Sequence, residues 1–171
     1  MRTTARLTSL IAVAAVATGT LAAAGTAGAL PVGPSDGLRH YVKTLRCPSA
    51  DPWGGPRLPI TVDVYNKVRF PSDGLRAPAI ELIANDSRTP GLFPGLQDYT
   101  VRTTVTWHNQ RTGRTGKVTV PSRSERAEWQ AVLHPGTGPV RFTVHQKIGA
   151  MVFVPMVNAQ YSSCRGSAQS S

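Results

Sequence analysis

From Ile60 onward, apolar and polar residues alternate along the chain with a period of two. Ile60, Val62, Val64, Val68 and Phe70 fall on one side of an extended chain, and Thr61, Asp63, Tyr65, Lys67 and Arg69 fall on the other. That pattern predicts a half-buried strand. Strands are also predicted at 79–84 and at 99–109. In the latter, Val101, Thr103, Val105 and Trp107 oppose Arg102, Thr104, Thr106 and His108, so Trp107 is expected to point inward. The loop 110–116 contains Gly113 and Gly116, which accept the positive φ of a hairpin bend, and a short return strand is predicted at 117–120. In 127–133, Trp129, Ala131 and Leu133 share one side; a short helix over 124–133 is the alternative. His134-Pro135-Gly136-Thr137-Gly138 predicts a turn. Val140, Phe142 and Val144 then alternate with Arg141, Thr143 and His145, and a last apolar run covers 151–160. Pro155 inside that run favours an edge strand or a bulge.

About seven strands at short spacing, with no long helix, predict an all-β protein built as an antiparallel β-sandwich. The start of the chain follows a different rule. Arg2 and Arg6 form a basic opening, 7–24 is an apolar stretch, and Ala27-Gly28-Ala29 is an A-x-A cleavage site. Residues 1–29 therefore read as a secretory signal peptide, with Leu30 the first mature residue and the protein secreted. Thr8, Ser9, Thr18, Gly19 and Thr20 dilute the apolar stretch too much for a spanning helix, and no transmembrane segment is expected in the mature chain. Residues 30–164 form one domain by length, and the small polar residues 165–171 are expected to be a disordered tail.

The Trp107-bearing strand, the Pro135-Gly136-Thr137-Gly138 turn and the Val140-x-Phe142-x-Val144 strand together resemble immunoglobulin-like sandwiches. With the Arg-rich, Ala-, Gly- and Pro-rich composition, the chain is similar to the small secreted immunoglobulin-like proteins of high-GC Gram-positive bacteria. The resemblance lies in architecture over 60–160. Cys47 and Cys164 bracket Trp107 far more widely than the cysteines of antibody domains do.

Cys47 and Cys164 are the 2 cysteines of the chain. In an oxidising compartment an isolated pair predicts one disulfide, here tying terminal segments together; two free thiols are the alternative. The formal charge is +10, from 19 Lys and Arg against 9 Asp and Glu. Such an excess outside a cell favours anionic partners: an anionic polymer, a membrane surface or an acidic protein. The densest basic cluster is Arg111, Arg114, Lys117, Arg123 and Arg126, with His108 at its entrance, all around one predicted hairpin. Guanidinium groups on a loop tip chelate phosphates or carboxylates bidentately. Nucleic acid suits this cluster less well, because no aromatic residues are interleaved with the charges.

Catalytic patterns are weak. Gly33-Pro34-Ser35-Asp36-Gly37 matches G-x-S-x-G, but a nucleophile elbow needs a strand before it and none is predicted there. His40, His108, His134 and His145 lack metal-ligand spacing; His108 and His145 share the polar faces of strands that would be neighbours, without a third ligand. Glu125 and Glu128 are flanked by Arg123 and Arg126, a pattern of surface ion pairing. No metal and no cofactor is expected.

Three further features complete the reading. Pro34-Ser35-Asp36-Gly37-Leu38-Arg39 recurs as Pro71-Ser72-Asp73-Gly74-Leu75-Arg76, which predicts one turn used twice. The loop 91–96 carries Leu92, Phe93 and Leu96, and Asn85-Asp86-Ser87 is read as a turn. The expected function is that of a secreted, non-catalytic binding protein contacting anionic envelope or host components through its basic hairpin. The competing classes are a hydrolase or metal-dependent enzyme on a sandwich scaffold, and a structural or inhibitory protein-binding module.

Overall fold

The computed structural model describes residues 38–88 and 97–171. The cleavage-site region, the G-x-S-x-G segment and the 91–96 loop lie outside them. Eight strands run in chain order: β1 His40–Arg46, β2 Ile60–Asn66, β3 Ile80–Asp86, β4 Asp98–Asn109, β5 Thr115–Ser124, β6 Trp129–Leu133, β7 Gly138–Met151 and β8 Val157–Ser170. They form two antiparallel four-stranded sheets, ordered β1-β2-β3-β6 and β5-β4-β7-β8. The chain crosses between sheets from β3 to β4, from β5 to β6 and from β6 to β7. Among the described residues there is no helix, and none that is long and apolar enough to cross a membrane.

The period-two pattern is what holds the layers together. Val62, Val64, Leu82, Trp129 and Leu133 from one sheet pack against Val101, Val105, Val140, Phe142, Val144 and Ile148 from the other in one continuous core. Each fully buried aliphatic or aromatic side chain here contributes about 1.5–3 kcal/mol. The disulfide Cys47–Cys164 spans 117 positions and joins the residue after β1 to the middle of β8, closing one open edge of the sandwich.

Several expectations need correction. There are eight strands rather than about seven, because β1 precedes the first predicted one. Residues 124–133 contain no helix: β5 extends to Ser124, and β6 pairs with β3 through Ile80↔Leu133 and Ala84↔Trp129. The final apolar run is strand only at its two ends, Met151 closing β7 and 157–160 opening the edge strand β8. Residues 152–156 turn the chain, and β8 follows. Beyond Cys164 the chain is no disordered tail, since Arg165 to Ser170 pair with β7 in unbroken register. Small residues suit that position, where Gly166 lies under the Phe142 ring and Ala168 faces the core. Finally, β2 stops at Asn66 instead of running on to Phe70. Lys67 takes a left-handed φ of 51°, Val68 turns into a small buried cluster, and Phe70 is left 77% exposed.

Candidate functional site: a basic groove across the outer face of the second sheet

In β4, β5, β7 and β8, alternate residues face away from the core. The antiparallel register lines them up in rungs across all four strands. One rung reads Lys117, Thr106, Thr143, Arg165, and the next reads Thr115, His108, Arg141, Ser167. Between them lies a rung whose side chains point the other way: Gly116, Trp107, Phe142, Gly166. These two pairs of glycine and aromatic residues fit by size. A Cβ on Gly116 would strike the Trp107 indole, and one on Gly166 would strike the Phe142 ring at 2.7 Å. The two rings fold inward over the glycines, and the backbone of that rung becomes the floor of a groove.

This groove has a volume of about 990 Å³ and is walled by the two polar rungs, with Lys43 entering from β1. Lys43 Nζ donates to Ser167 Oγ at 3.4 Å, reaching across from the first sheet. Lys43, Lys117, Arg141 and Arg165 are the cations of the groove, with His108 beside them, and no carboxylate is among its lining residues. None of these four takes part in an ion pair among the described residues. With neighbouring strands about 4.8 Å apart, Lys117 on β5 and Arg165 on β8 are about 14 Å apart across the sheet.

The cluster expected from the sequence is divided by the length of β5. Lys117 and His108 enter the groove. Arg123 is on the same face but six residues further along, about 20 Å away, where its Nε donates to Asp98 Oδ2 at 2.9 Å. Arg126 pairs with Glu128 at 3.6 Å at that same end. Arg111 closes over the β6–β7 turn, donating to the Thr137 carbonyl at 2.7 Å and to its hydroxyl. Arg114 lies against Gly136 of that turn. The four arginines therefore brace loops or pair with carboxylates, while Lys43, Arg141 and Arg165 take their places around the anion-binding candidates.

The carboxylates lie mostly at the opposite end, the one formed by the β7–β8 turn. Asp51, Asp86, Asp98, Glu125 and Glu128 all belong there. Arg88 holds two of them: Nη2 donates to Asp86 Oδ2 at 2.6 Å, and Nη1 donates to Asp51 Oδ2 at 3.2 Å and to Tyr99 Oη at 3.0 Å. Burial alone would weaken its charge, but the bonds to Asp86 and Tyr99 outweigh burial and raise the Arg88 pKa above its ordinary value. Burial raises the Tyr99 phenol, against the lowering effect of Arg88.

The histidines do not gather. His145 is opposite Thr104 and His108 is opposite Arg141, so the two are about 13 Å apart along the sheet. His134 Nε2 is 2.8 Å from Asp73 Oδ2. Among the described residues no three His, Cys, Asp or Glu side chains are grouped to hold a metal ion. The chemistry the groove offers is multipoint anion binding, with guanidinium forks, ammonium groups and hydroxyl donors on a rigid sheet. No family model matches the chain, and no curated protein and no solved structure matches it either.

Proposed function

We propose that the protein is an exported, non-catalytic binding protein whose basic groove takes an extended anionic polymer. The observation that carries this reading is the convergence of Lys43, Lys117, Arg141 and Arg165 on one groove lined by no carboxylate. Lys117, Arg141 and Arg165, held within about 14 Å on rigid strands, and Lys43 beyond them repel one another, and a ligand with repeating phosphate, sulfate or carboxylate groups relieves that repulsion at several points at once. Export rests on the signal-type amino terminus, and the disulfide is compatible with an oxidising compartment.

We also read the sandwich as immunoglobulin-like. In favour of this, β4, β7 and β8 lie side by side as the C, F and G strands of such domains do, with β5 outside β4. On this reading β1 is an addition at the edge of the other sheet.

The test is titration of a labelled sulfated oligosaccharide and of polyphosphate, with neutral dextran as control, into the wild type and the Lys117→Gln/Arg141→Gln/Arg165→Gln variant. The expected result is submicromolar to micromolar binding to both polyanions, weakened at least about tenfold in the variant and falling steeply with added salt. Binding that is unchanged in the variant overturns the assignment. A protein-binding module is the second reading, favoured by Phe153, which is 96% exposed at the β7–β8 turn between the exposed Val152 and Val154. Loss of a captured extracellular protein on Phe153→Ser, with polyanion binding absent, would establish it instead.

A further inference from the structure

At the end of the sandwich opposite the β7–β8 turn, the β2–β3 loop (67–79) combines two properties that soluble surfaces usually keep apart. Phe70 is 77% exposed and Leu75 is 60% exposed, and they flank a tight turn in which Gly74 N–H donates to the Pro71 carbonyl at 3.0 Å. Leu38, itself 40% exposed, lies alongside, its carbonyl accepting the Arg69 N–H at 2.9 Å. Single exposed apolar residues are ordinary, but three at one place make a patch.

This exposure does not come from a slack loop. Val68 and Ala79, at the two ends of the loop, pack against Val132 in their own buried cluster. Pro71 is buried, Gly74 accepts a φ of 74°, and Leu75 N–H donates to Asp73 Oδ1 at 3.1 Å. Ser72 Oγ receives Gln130 Nε2 at 3.0 Å. The segment is the second copy of the Pro-Ser-Asp-Gly-Leu-Arg repeat. Its turn is braced from beneath, so Leu75 and Phe70 are held out into solvent.

The charges around the patch all point to one kind of surface. Lys67, Arg69 and Arg76 interleave with the apolar residues, and none is in an ion pair among the described residues. The carboxylate of the loop, Asp73, is turned toward His134, with Oδ2 2.8 Å from Nε2. Nearby Glu81 is engaged by Arg39 at 2.7 Å and by Gln130. An apolar tip flanked by cations that form no ion pair among the described residues matches the boundary between acyl chains and anionic headgroups. The tip at Phe153 does not match it, since five of the eight carboxylates among the described residues are gathered at that end.

We propose that the β2–β3 loop docks on an anionic lipid bilayer, with Phe70 and Leu75 entering the acyl boundary and Lys67, Arg69 and Arg76 contacting headgroup phosphates. This site is separate from the groove and does not depend on it. Insertion of two side chains is weak alone, so binding needs both contributions and is sensitive to salt.

The experiment is co-sedimentation of protein expressed from Leu30 with vesicles of phosphatidylcholine, with and without phosphatidylglycerol. Binding is expected only to the anionic vesicles. The affinity should fall by about tenfold or more in Phe70→Ser/Leu75→Ser, and similarly in Arg69→Gln/Arg76→Gln. The groove variant Lys117→Gln/Arg141→Gln/Arg165→Gln should bind these vesicles nearly as well as the wild type. Thermal melting of each variant confirms folding, and the two loop variants change different exposed side chains, so failure of one to fold leaves the other as the test. The proposal is overturned by equal binding to neutral vesicles, by a Phe70→Ser/Leu75→Ser variant that binds like the wild type, or by loss of vesicle binding in the groove variant alone. Capture of a protein through Phe70 without vesicle binding also overturns it.

Discussion

Trp129 on β6 donates its indole N–H to Gln146 Oε1 on β7 at 2.9 Å, a hydrogen bond that joins the two sheets inside the apolar core. The amide nitrogen of Gln146 is within 3.4 Å of both the Cys47 carbonyl and Ser162 Oγ, so one fully buried side chain serves both sheets and the disulfide neighbourhood. A buried donor left without a partner costs more than the bond itself contributes. Gln146→Leu strands the Trp129 N–H and is expected to destabilise the protein by about 1–3 kcal/mol. Urea denaturation measures this, and the double variant Gln146→Leu/Trp129→Phe should recover part of the loss.

Trp107 and Gly116 form the second relationship with a sharp consequence. The indole occupies the space that any Cβ at 116 would need. Gly116→Val must therefore expel the ring or bend β5, at a cost of about 1–3 kcal/mol, and the floor of the groove is distorted with it. Tryptophan fluorescence should shift toward the emission of exposed indole, and polyanion affinity should drop although no cation has been removed.

The disulfide holds β8 against the end of β1. Replacing both cysteines in Cys47→Ser/Cys164→Ser is expected to lower stability by about 2–5 kcal/mol, because cross-linking so long a loop mainly restricts the unfolded chain. The wild type under reducing conditions should show the same shift in denaturation midpoint, and the double variant should be indifferent to reductant.

At alkaline pH two buried phenols are sensitive, Tyr99 and Tyr65, and Tyr65 is the one free of the Arg88 network. Burial raises its phenol pKa first, the Asp63 charge adds to that, and the Arg39 guanidinium 4.5 Å above its ring partly opposes both. The folded pKa therefore lies above the unfolded value of about 10. The stability linked to this group is present in full below that unfolded value, and it is lost as pH rises through the folded pKa. Tyr65→Phe should accordingly show a shallower fall in denaturation midpoint than the wild type between about pH 9 and pH 12. Identical slopes would show that Tyr65 does not contribute.

How far these features could be read from the chain depended on whether they were local. Strand β4 was legible because its inward Val101, Val105 and Trp107 alternate strictly with polar residues, and the inward Val140, Phe142 and Val144 of β7 were legible for the same reason. The disulfide followed from there being only two cysteines. Strand β8 was not legible: a strand that packs under Phe142 and beside the Cys47–Cys164 bridge needs small residues, and Ser162 to Ser170 look like a solvated tail until their partner is known. The groove was hidden for a related reason. Arg141 and Arg165 are partners of neighbouring rungs only through the register, and Lys43 belongs to the other sheet. The basic hairpin looked dense in sequence because its charges are close along the chain, yet an extended strand separates Lys117 from Arg123. The outward alternation of Thr106 and His108 on β4 and of Arg141 and Thr143 on β7 pointed to the correct face.

The segregation of charge along the strands has a dynamic consequence. Among the described residues, carboxylates and their arginine partners nearly cancel at one pole and cations outside ion pairs gather at the other, so this part of the molecule carries a permanent electric moment along the strands. Near a negatively charged body this moment produces a torque over roughly the Debye length, about 8 Å at physiological ionic strength. The protein is turned before it touches, and the pole bearing the groove and the Phe70 loop leads the approach.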